Sequence, residues 1–353
     1  MSQSSTHQQN LQEYYGRILQ STQDLKTKAC CTNGEGLSPA VRRAMGLLDR
    51  EILERFYSCG SPIPPLLEGL TILDLGCGAG KDVYVAACLA GESGRVIGVD
   101  MTEEQLAVGR KHLAAQMQRF GFNKSNVEFH QGFMEDLAAL GIADNSIDLV
   151  ISNCVLNLSP EKETLFREIF RVLKPGGELY FSDVFADRRL PEHLQNDPVL
   201  HGECLAGAMY TEDFRRLLLR IGCPDFRLLS DRLINLGNPE IEAQVGLINF
   251  HSRTVRAFKL AGLEDICEDY GQVAIYRGTI PDFPHYFDLD DHHRFITGKP
   301  MLVCGNTAAM VGETRFAPHF TVQGERRVHY GPFDCKPAAG RDAGECGTGG
   351  ACC

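Results

Sequence analysis

The chain has 353 residues, of which 43% are hydrophobic, and its formal net charge is −11 at pH 7. This length predicts a core domain of about 120–200 residues with additional segments around it. Binding to nucleic-acid phosphates requires a basic stripe, and the acidic balance without such a stripe argues against a nucleic-acid partner. A small-molecule or thiol-bearing substrate fits the composition better.

Hydropathy and cysteine content together suggest where the protein works. Residues 1–7 are polar, and no stretch reaches the roughly 18 apolar residues of a membrane span. We therefore expect a cytoplasmic monomer with no membrane partner. In that reducing compartment the 14 cysteines are expected to bind or react rather than to form a disulfide scaffold. Cys77, Cys88 and Cys223 stand in small or apolar positions and are predicted only to pack.

The N-terminal region is predicted to contain two helices with a thiol loop between them. Residues 10–20 and 38–57 have helical patterns, and the second begins with Ser38 as N-cap. The intervening residues 28–36 form a glycine-containing loop that carries Cys30.

Residues 70–184 alternate between strands and helices. Helices are predicted from Gly80, from Thr102 with Gln105 as its capping-box partner, and after residues 159–160. This alternation predicts a mostly parallel sheet with helices on both faces. The predicted strands are residues 70–74, 95–100, 127–130, 147–151 and 178–183.

Beyond residue 185 the alternation weakens. A helix is predicted from Thr211, and the strand-like runs 254–258 and 272–276 are expected to close the sheet as an antiparallel pair. The last residues are rich in glycine and alanine, which predicts a flexible tail. We divide the chain into an N-terminal arm and lid at 1–69, a cofactor-binding Rossmann-like domain at 70–187, a substrate-binding domain at 188–277, a small α+β module at 278–336 and a cysteine-containing tail at 337–353.

The most informative motif lies at residues 70–80, where an apolar strand runs into closely spaced glycines. Its pattern, Asp-x-Gly-x-Gly-x-Gly from Asp74 to Gly80, is tighter by one residue than the dinucleotide fingerprint. It resembles motif I of class I S-adenosylmethionine-dependent methyltransferases. The resemblance implies that Gly76 and Gly78 let the backbone close on the methionine part of the cofactor while Asp74 orients it.

A second strand ends in Asp100, where a ribose diol needs a bidentate acceptor. The glycine loop and the strand-end acid occur in the order expected for a cofactor-binding domain, so each strengthens the interpretation of the other. The alternative is a packing glycine turn and a strand-end acid in some other α/β domain.

Cysteines fall where the substrate of such a sheet is expected. Ligands of open α/β sheets lie outside the carboxyl ends of the strands, and Cys154 directly follows one of these strands. Cys204 lies in a glycine-flanked segment after the fifth strand and can cover the same edge. Cys30 and Cys59 belong to the N-terminal arm, which could fold down as a lid.

Four short motifs around these cysteines resemble the arsenite S-adenosylmethionine methyltransferases. They are residues 24–30, 57–60, 152–158 and 202–205, and the similarity extends over about residues 10–280. The resemblance implies that Cys154 and Cys204 bind arsenic(III), and that Cys30 and Cys59 join them or supply a reducing disulfide, with Cys59 as the third arsenic ligand. Cys31, adjacent to Cys30, departs from the simplest form of the first motif and leaves open which neighbour acts.

The same resemblance implies a fold, a cofactor site and partners. The fold is a class I methyltransferase, Rossmann-like and mostly parallel, with a small C-terminal α+β module. The partners are arsenite and methylarsenite, and glutathione or thioredoxin serves as thiol reductant. Residues implied to bind S-adenosyl-L-methionine are Tyr57, Asp74, Gly76, Gly78, Asp100, Met101, Met134, Glu135 and Asn153.

The chemistry of arsenic supports this interpretation independently. Trivalent arsenic is soft and prefers thiolates to carboxylates or imidazoles. Three thiolates leave its lone pair free to attack a methyl group, and no general base is needed because no proton leaves the nucleophile. Methylation oxidises arsenic formally to the pentavalent state, and two thiols that close to a disulfide can reduce it again.

Two other functions remain as alternatives. One is methylation of a small carbon or oxygen acceptor, which would require a general base near the methyl group; the other is a non-catalytic, thiol-based metalloid sensor or buffer. Asp183 is left unassigned. Residues 290–293, Asp-Asp-His-His, are predicted to form a solvated turn, and Cys346, Cys352 and Cys353 could capture arsenite.

Overall fold

A computed structural model describes Thr27, residues 37–55 and residues 60–335 of the chain. Its main sheet contains β1 Thr71–Leu75, β2 Arg95–Asp100, β3 Val127–Gln131, β4 Ile147–Asn153, β5 Leu173–Ala186, β6 Met209–Tyr210, β7 Phe226–Leu233 and β8 Phe250–Phe258. The order is β3-β2-β1-β4-β5-β8-β7, with β6 paired to β5. Strands β1 to β5 pair in parallel, whereas β8 is antiparallel to both β5 and β7.

Helices cover both faces of this sheet. Strand β1 is buried along almost its whole length, as expected for a parallel strand enclosed on both sides. The helices are α1 Pro39–Met45, α2 Arg50–Glu54, α3 Lys81–Ala90, α4 Glu103–Phe120, α5 Lys162–Val172, α6 Glu192–Gln195, α7 Pro198–Gly202, α8 Thr211–Arg220, α9 Pro239–Val245 and α10 Gly305–Gly312, with short 3-10 turns at Leu156–Leu158 and Ala317–His319. Within the described residues, every helix is too short or too polar to cross a membrane.

The C-terminal module contains three small sheets. Its strands are β9 Glu268–Asp269, β10 Gln272–Tyr276, β11 Tyr286–Asp288, β12 Arg294–Ile296, β13 Pro300–Val303, β14 Phe320–Gln323 and β15 Gly331–Pro332. They form the sheets β13-β10-β14, β11-β12 and β15-β9. Buried aromatic rings, among them Tyr276, Phe287 and Phe316, form a hydrophobic core that is separate from those of the main sheet.

Buried charges join this module to the main sheet. Glu178 on β5 and Arg256 on β8 have no exposed side-chain surface, and Arg256 Nε donates to Glu178 Oε1 at 2.5 Å. Arg315 of the module donates to the other oxygen of Glu178. Arg256 Nη1 also donates to the carbonyl of Leu289 at 2.6 Å.

The structure confirms the alternating strands and helices of residues 70–184 and corrects the strand that closes the sheet. The neighbour of β8 is β7, not residues 272–276, which form the centre of the three-stranded sheet of the module. Strand β7 has an exposed, polar second half and belongs to the sheet edge, so its sequence carries a weak strand pattern.

The helices after Ser38 and Thr102 begin where predicted, but the continuity of the first and the capping box of the second are wrong. The predicted helix 38–57 is interrupted, because Asp49 accepts a hydrogen bond from the Glu51 amide at 3.1 Å and begins a second helix. No side-chain cap forms at Thr102. Its amide instead donates to Asp100 Oδ1 at 2.8 Å. Ser38 does cap α1, accepting from the Val41 amide at 3.2 Å.

Candidate active site

A cavity of about 1120 Å³, including its opening to solvent, lies at the carboxyl ends of β1, β2 and β4. This is the edge where ligands of open α/β sheets bind. Every described residue of the predicted cofactor and thiol site lines it. These are Asp74, Gly76, Gly78, Asp100, Met101, Met134, Glu135, Asn153, Cys154 and Cys204.

The glycine loop after β1 forms the floor of this cavity. The Gly76 amide donates to the Val99 carbonyl at 2.8 Å, and a Cβ at Gly76 would lie 2.4 Å from Val155 Cγ1. Gly78 has φ +52°, and a Cβ there would meet no atom of the described residues within 4 Å. The first glycine is therefore required by packing, whereas the second leaves open space for a ligand.

Asp74 places an unpaired carboxylate oxygen at the cavity. Its Oδ2 is buried and has no hydrogen-bond partner among the residues that the structure describes. Burial raises the pKa of Asp74 well above its usual value, and the charges of Asp82 and Asp100 raise it further. A buried carboxylate without a partner is costly alone, so this arrangement suits a ligand that brings a positive charge.

Asp100 holds the loop in place. Its Oδ2 accepts from the Gly78 amide and its Oδ1 from the Thr102 amide, both at 2.8 Å. Each carboxylate oxygen keeps a second lone pair, so the side chain can also accept from a ligand diol. Burial raises the pKa of Asp100, and the backbone hydrogen bonds oppose that shift.

Asn153 links the cavity wall to the N-terminal arm. Its Nδ2 donates to Asp82 Oδ2 at 2.9 Å and to the Gly60 carbonyl at 3.0 Å. Asp82 also pairs with Lys81, whose Nζ lies 3.0 Å from Oδ1. Sequence reasoning missed Asp82, although its place in the first turn of α3, directly after the glycine loop, was a signal for it.

The other predicted cofactor residues line the far wall. Glu135 Oε1 accepts a 2.5 Å hydrogen bond from Ser159 Oγ, which fixes the carboxylate. Met101 packs against the cluster that contains Cys154 and Cys204, and Met134 packs against the opposite hydrophobic cluster. Sequence reasoning also missed Ser159 as a residue of the cavity lining.

Cys154 and Cys204 lie together at the cavity. The Cys204 thiol donates to the Cys154 carbonyl at 3.4 Å, and both residues are almost completely buried. Both have left-handed backbones, with φ +61° and +59°, a conformation that costs a residue with a Cβ about 1–2 kcal/mol. Such strain is concentrated at functional sites. Cys154 is disulfide-bonded in the structure.

Thr27 connects the arm to the segment of Cys204. Its amide and hydroxyl both donate to Glu203 Oε2, at 2.7 and 2.6 Å. Glu203 is buried, so these charge-assisted hydrogen bonds form away from water. Thr27 and Glu203 belong to the motifs 24–30 and 202–205, but neither was predicted to have a role of its own.

Three predicted site residues, Tyr57, Cys30 and Cys59, lie outside the described residues, as do Cys31 and the tail cysteines. Cys223 is buried in a hydrophobic cluster and Cys88 packs against another, as predicted; Cys77 is also buried in a cluster, but it lines the cavity as well. Burial raises the pKa of the Cys223 thiol to about 12.

Asp183 is fully buried and lies outside the cavity lining. Its carboxylate accepts from the amides of Val184 at 2.7 Å and Asn157 at 3.0 Å. Burial nevertheless raises its pKa to about 7. It therefore supports the segment that follows Cys154 rather than facing a ligand.

The prediction of a solvated turn at residues 290–293 is wrong for two of its residues. Asp290 and His293 are buried, and His293 Nδ1 lies 2.8 Å from Asp290 Oδ2. Arg227, distant in sequence, donates to the same oxygen at 3.3 Å. The turn is part of a buried polar network that joins the module to β7 of the main sheet.

The strand order and the cavity at the carboxyl edge define a class I methyltransferase fold. Residues 66–222 match the family described as a methyltransferase domain, and residues 270–353 match the arsenite methyltransferase C-terminal domain.

Similar proteins identify the family within this class. An arsenite methyltransferase of Aquipseudomonas alcaligenes is 51% identical over 92% of this chain and 93% of its own. The human arsenite methyltransferase is 41% identical over 90% of this chain and 84% of its own. The crystal structure of CrArsM, an arsenic(III) S-adenosylmethionine methyltransferase from Chlamydomonas reinhardtii, superposes with a TM-score of 0.82 at 55% identity, covering 85% of this chain and all of that one. The chain belongs to the arsenite methyltransferase family.

Proposed function

We propose that Cys154 and Cys204 hold arsenic(III) as thiolates beside the cofactor cavity while it is methylated. S-adenosylmethionine-dependent methylation of arsenite is the activity of the family to which the chain belongs, and it fits a role in arsenic detoxification. The observation that carries the residue assignment is the 3.4 Å contact between the Cys204 thiol and the Cys154 carbonyl at the edge of that cavity.

The cavity residues fit the cofactor. When bound, S-adenosylmethionine supplies an electrophilic methyl group. The unpaired Asp74 oxygen suits its positive charges, and Asp100 can accept from the ribose hydroxyls. We propose that Gly76 and Gly78 allow the backbone to lie close to the methionine part of the cofactor. Met101, Met134, Glu135 and Asn153 would complete the enclosure, and Tyr57 stays a prediction.

The thiols position the substrate and keep its lone pair available. Arsenic prefers sulfur ligands, and a soft ion deprotonates the thiols that bind it. No proton leaves arsenic during methyl transfer, so no general base is needed at the cavity. The buried Asp183, whose oxygens accept backbone hydrogen bonds, is therefore not assigned a catalytic role. Because Cys154 is disulfide-bonded, reduction of its sulfur must precede arsenic binding.

We further propose that Cys59 and Cys30 act with this pair. Gly60, which follows Cys59 directly, is held by Asn153, the neighbour of Cys154, and Thr27, three residues before Cys30, is held by Glu203, the neighbour of Cys204. Three residues span at most about 11 Å. These anchors support Cys59 as third ligand and Cys30 with Cys59 as the redox pair.

After methyl transfer, the Cys30 sulfur attacks the arsenic-bound sulfur of Cys59. The As–S bond of Cys59 breaks as the S–S bond forms, Cys30 loses one proton to solvent, and the electron pair of the broken bond returns pentavalent arsenic to the trivalent state. A thiol reductant, glutathione or thioredoxin, then reduces the disulfide. The monomeric state, the cytoplasmic location and the domain boundaries stay predictions, with strand β10 reassigned to the C-terminal module.

The test compares single cysteine variants on two substrates. Cys154→Ser and Cys204→Ser should each abolish methylation of both arsenite and monomethylarsenite, because both substrates need these ligands. Cys30→Ser and Cys59→Ser should abolish methylation of arsenite but spare that of monomethylarsenite, which has one valence already occupied. Product speciation with labelled S-adenosylmethionine gives the readout.

Cys88→Ser is the matched control, because Cys88 is a free, partly buried thiol that does not line the cavity. It should methylate both substrates normally. Equal loss of both activities in all four site variants would refute the division of roles. Full activity of Cys204→Ser would refute the arsenic site itself.

A further inference from the structure

A second group of thiols lies in the C-terminal module. The sulfurs of Cys267, Cys304 and Cys335 all lie within 4.8 Å of one another, and all three are free cysteines. None of them lines the edge cavity. Cys304 is buried, whereas Cys267 and Cys335 are partly exposed, so the group is accessible from one side.

Three separate parts of the chain build this trithiol cluster of Cys267, Cys304 and Cys335. Cys267 precedes β9 and Cys335 follows β15, and these two strands pair antiparallel. The Phe333 amide donates to the Cys267 carbonyl at 2.8 Å, which holds the two segments side by side. Cys304 is the N-cap of α10, and its sulfur accepts from the Thr307 amide at 3.4 Å.

The surroundings of the trithiol cluster stabilise one negative charge. Hydrogen bonds from Cys267 and Cys335 hold the pKa of the Cys304 thiol below its usual value, and the charge of Arg227 acts in the same direction. Arg227 is buried, and its Nη2 lies 3.9 Å from the Cys304 sulfur. The Thr307 hydroxyl lies 3.2 Å from that sulfur. The same hydrogen bonds raise the pKa values of the Cys267 and Cys335 thiols, so a negative charge in the cluster is favoured on Cys304.

We propose that the trithiol cluster is a second arsenic(III) site, which binds arsenite without methylating it. A trivalent thiophilic ion is satisfied by three thiolates, with its lone pair in the fourth direction. Structural zinc requires four ligands, and among the described residues this group offers three. The choice of arsenic as the thiophilic ion rests on the proposed function, but the three-thiol geometry does not.

Binding changes no oxidation state. Three As–O bonds of arsenous acid break and three As–S bonds form. Each departing hydroxide takes one proton, from a thiol of the cluster or, for a thiol that is already ionised, from solvent. Three water molecules leave, and the neutral trithiolate complex remains beside Arg227. Because these sulfurs lie outside the cofactor cavity, the bound arsenic is not presented to a methyl donor.

Binding without the cofactor tests this proposal on the full chain. The parent protein carries Cys154→Ser and Cys204→Ser, which remove the proposed catalytic ligands, and Cys346→Ser, Cys352→Ser and Cys353→Ser, which remove the tail thiols. After reduction it is titrated with arsenite, and the bound arsenic is counted by mass spectrometry. X-ray absorption at the arsenic edge then gives the number of sulfur ligands.

The decisive variant is Cys304→Ser in this parent. Serine is a preferred N-cap, so α10 keeps its cap while the sulfur is lost. We expect one fewer arsenic per chain, or affinity reduced on the order of 100-fold or more, since even outer contacts of a metal site are worth about 10–100-fold. Cys335→Ser should act in the same way, and Cys88→Ser should leave the stoichiometry unchanged.

Unchanged stoichiometry and sulfur count in both Cys304→Ser and Cys335→Ser would overturn the proposal. Stoichiometric zinc on the purified protein that depends on Cys304 and resists arsenite would also overturn it, in favour of a structural zinc site. Neither readout uses methyl transfer. A failure of the proposed function would appear instead as a wild-type chain that binds arsenite here but does not methylate it.

Discussion

A comparison of Gly78→Ala with Gly121→Ala separates the effect of filling the cofactor cavity from the effect of backbone strain. Gly78 has φ +52°, and its added Cβ would meet no atom within 4 Å in the described part of the chain. Gly121, at the end of α4, has φ +76° and equally open surroundings. Both substitutions place a Cβ in the left-handed region, so both should destabilise the fold by roughly 1–2 kcal/mol.

Only the methyl group at Gly78 enters the cavity. Overfilling a fitted site costs about 1–3 kcal/mol, which corresponds to an affinity for S-adenosylmethionine weakened about 5- to 150-fold. Gly121 lies at the far end of an 18-residue helix, about 27 Å from the cavity end, so Gly121→Ala should bind the cofactor normally.

Calorimetric titration with S-adenosylmethionine and thermal unfolding measure the two effects separately. We expect similar losses of stability in both variants, with weaker cofactor binding in Gly78→Ala alone. Equal cofactor affinity in the two variants would refute the assignment of the glycine loop as the cofactor floor. A much larger loss of stability in Gly78→Ala would show that the loop has no free space there.

Three further predictions concern the acids around the site. Asp100→Ala should weaken S-adenosylmethionine binding but leave arsenite binding intact, and calorimetry with each ligand would detect an unexpected joint loss. Thr27→Val removes one buried hydrogen bond to Glu203, worth about 1.5–3 kcal/mol, so the arsenite concentration for half-maximal rate should rise while the cofactor Kd stays constant; an unchanged half-maximal concentration would argue against the anchor. Burial raises the pKa of Asp183 from 3.8 to about 7, so the folded state holds a proton that the unfolded chain has lost, and this group costs stability increasingly as the pH rises towards 7. From pH 5 to pH 8 this group should lower the free energy of unfolding by about 2–3 kcal/mol. Asp183→Asn should remove this decrease, measured by denaturant unfolding at the two pH values; an unchanged decrease would contradict the raised pKa.

The sequence predicted the part of the fold that depends on local pattern. Strands β1 to β5 are apolar runs that end in polar or glycine-rich turns, and their order specified the parallel sheet and its ligand edge. The closing strand was mispredicted because residues 272–276 form a mostly apolar run, whereas the second half of β7, residues 230–233, is exposed and mostly polar. Edge strands of this kind lack a strong period-two signal.

For the site, too, the sequence predicted the residues that depend on local pattern and missed those that depend on long-range contacts. Residues that adjoin a strand end, such as Asp74, Asp100 and Cys154, were placed correctly at the cavity. The Thr27–Glu203 anchor joins residues 176 positions apart, and the trithiol cluster assembles from three distant segments, so no local spacing reveals either. The buried Asp290 likewise depends on Arg227, which no pattern near residue 290 indicates.

The pairing of Glu178 with Arg256 and Arg315 has a consequence for inhibition. Removing one partner from a buried ion pair costs about 3–5 kcal/mol, so the transferase and its C-terminal module should melt together as one thermodynamic unit. Disrupting the interface between them should therefore lower the stability of both, at a place away from the substrate site. A small molecule that binds at this interface and separates Arg315 from Glu178 should destabilise both parts together without competing with either the methyl donor or arsenic.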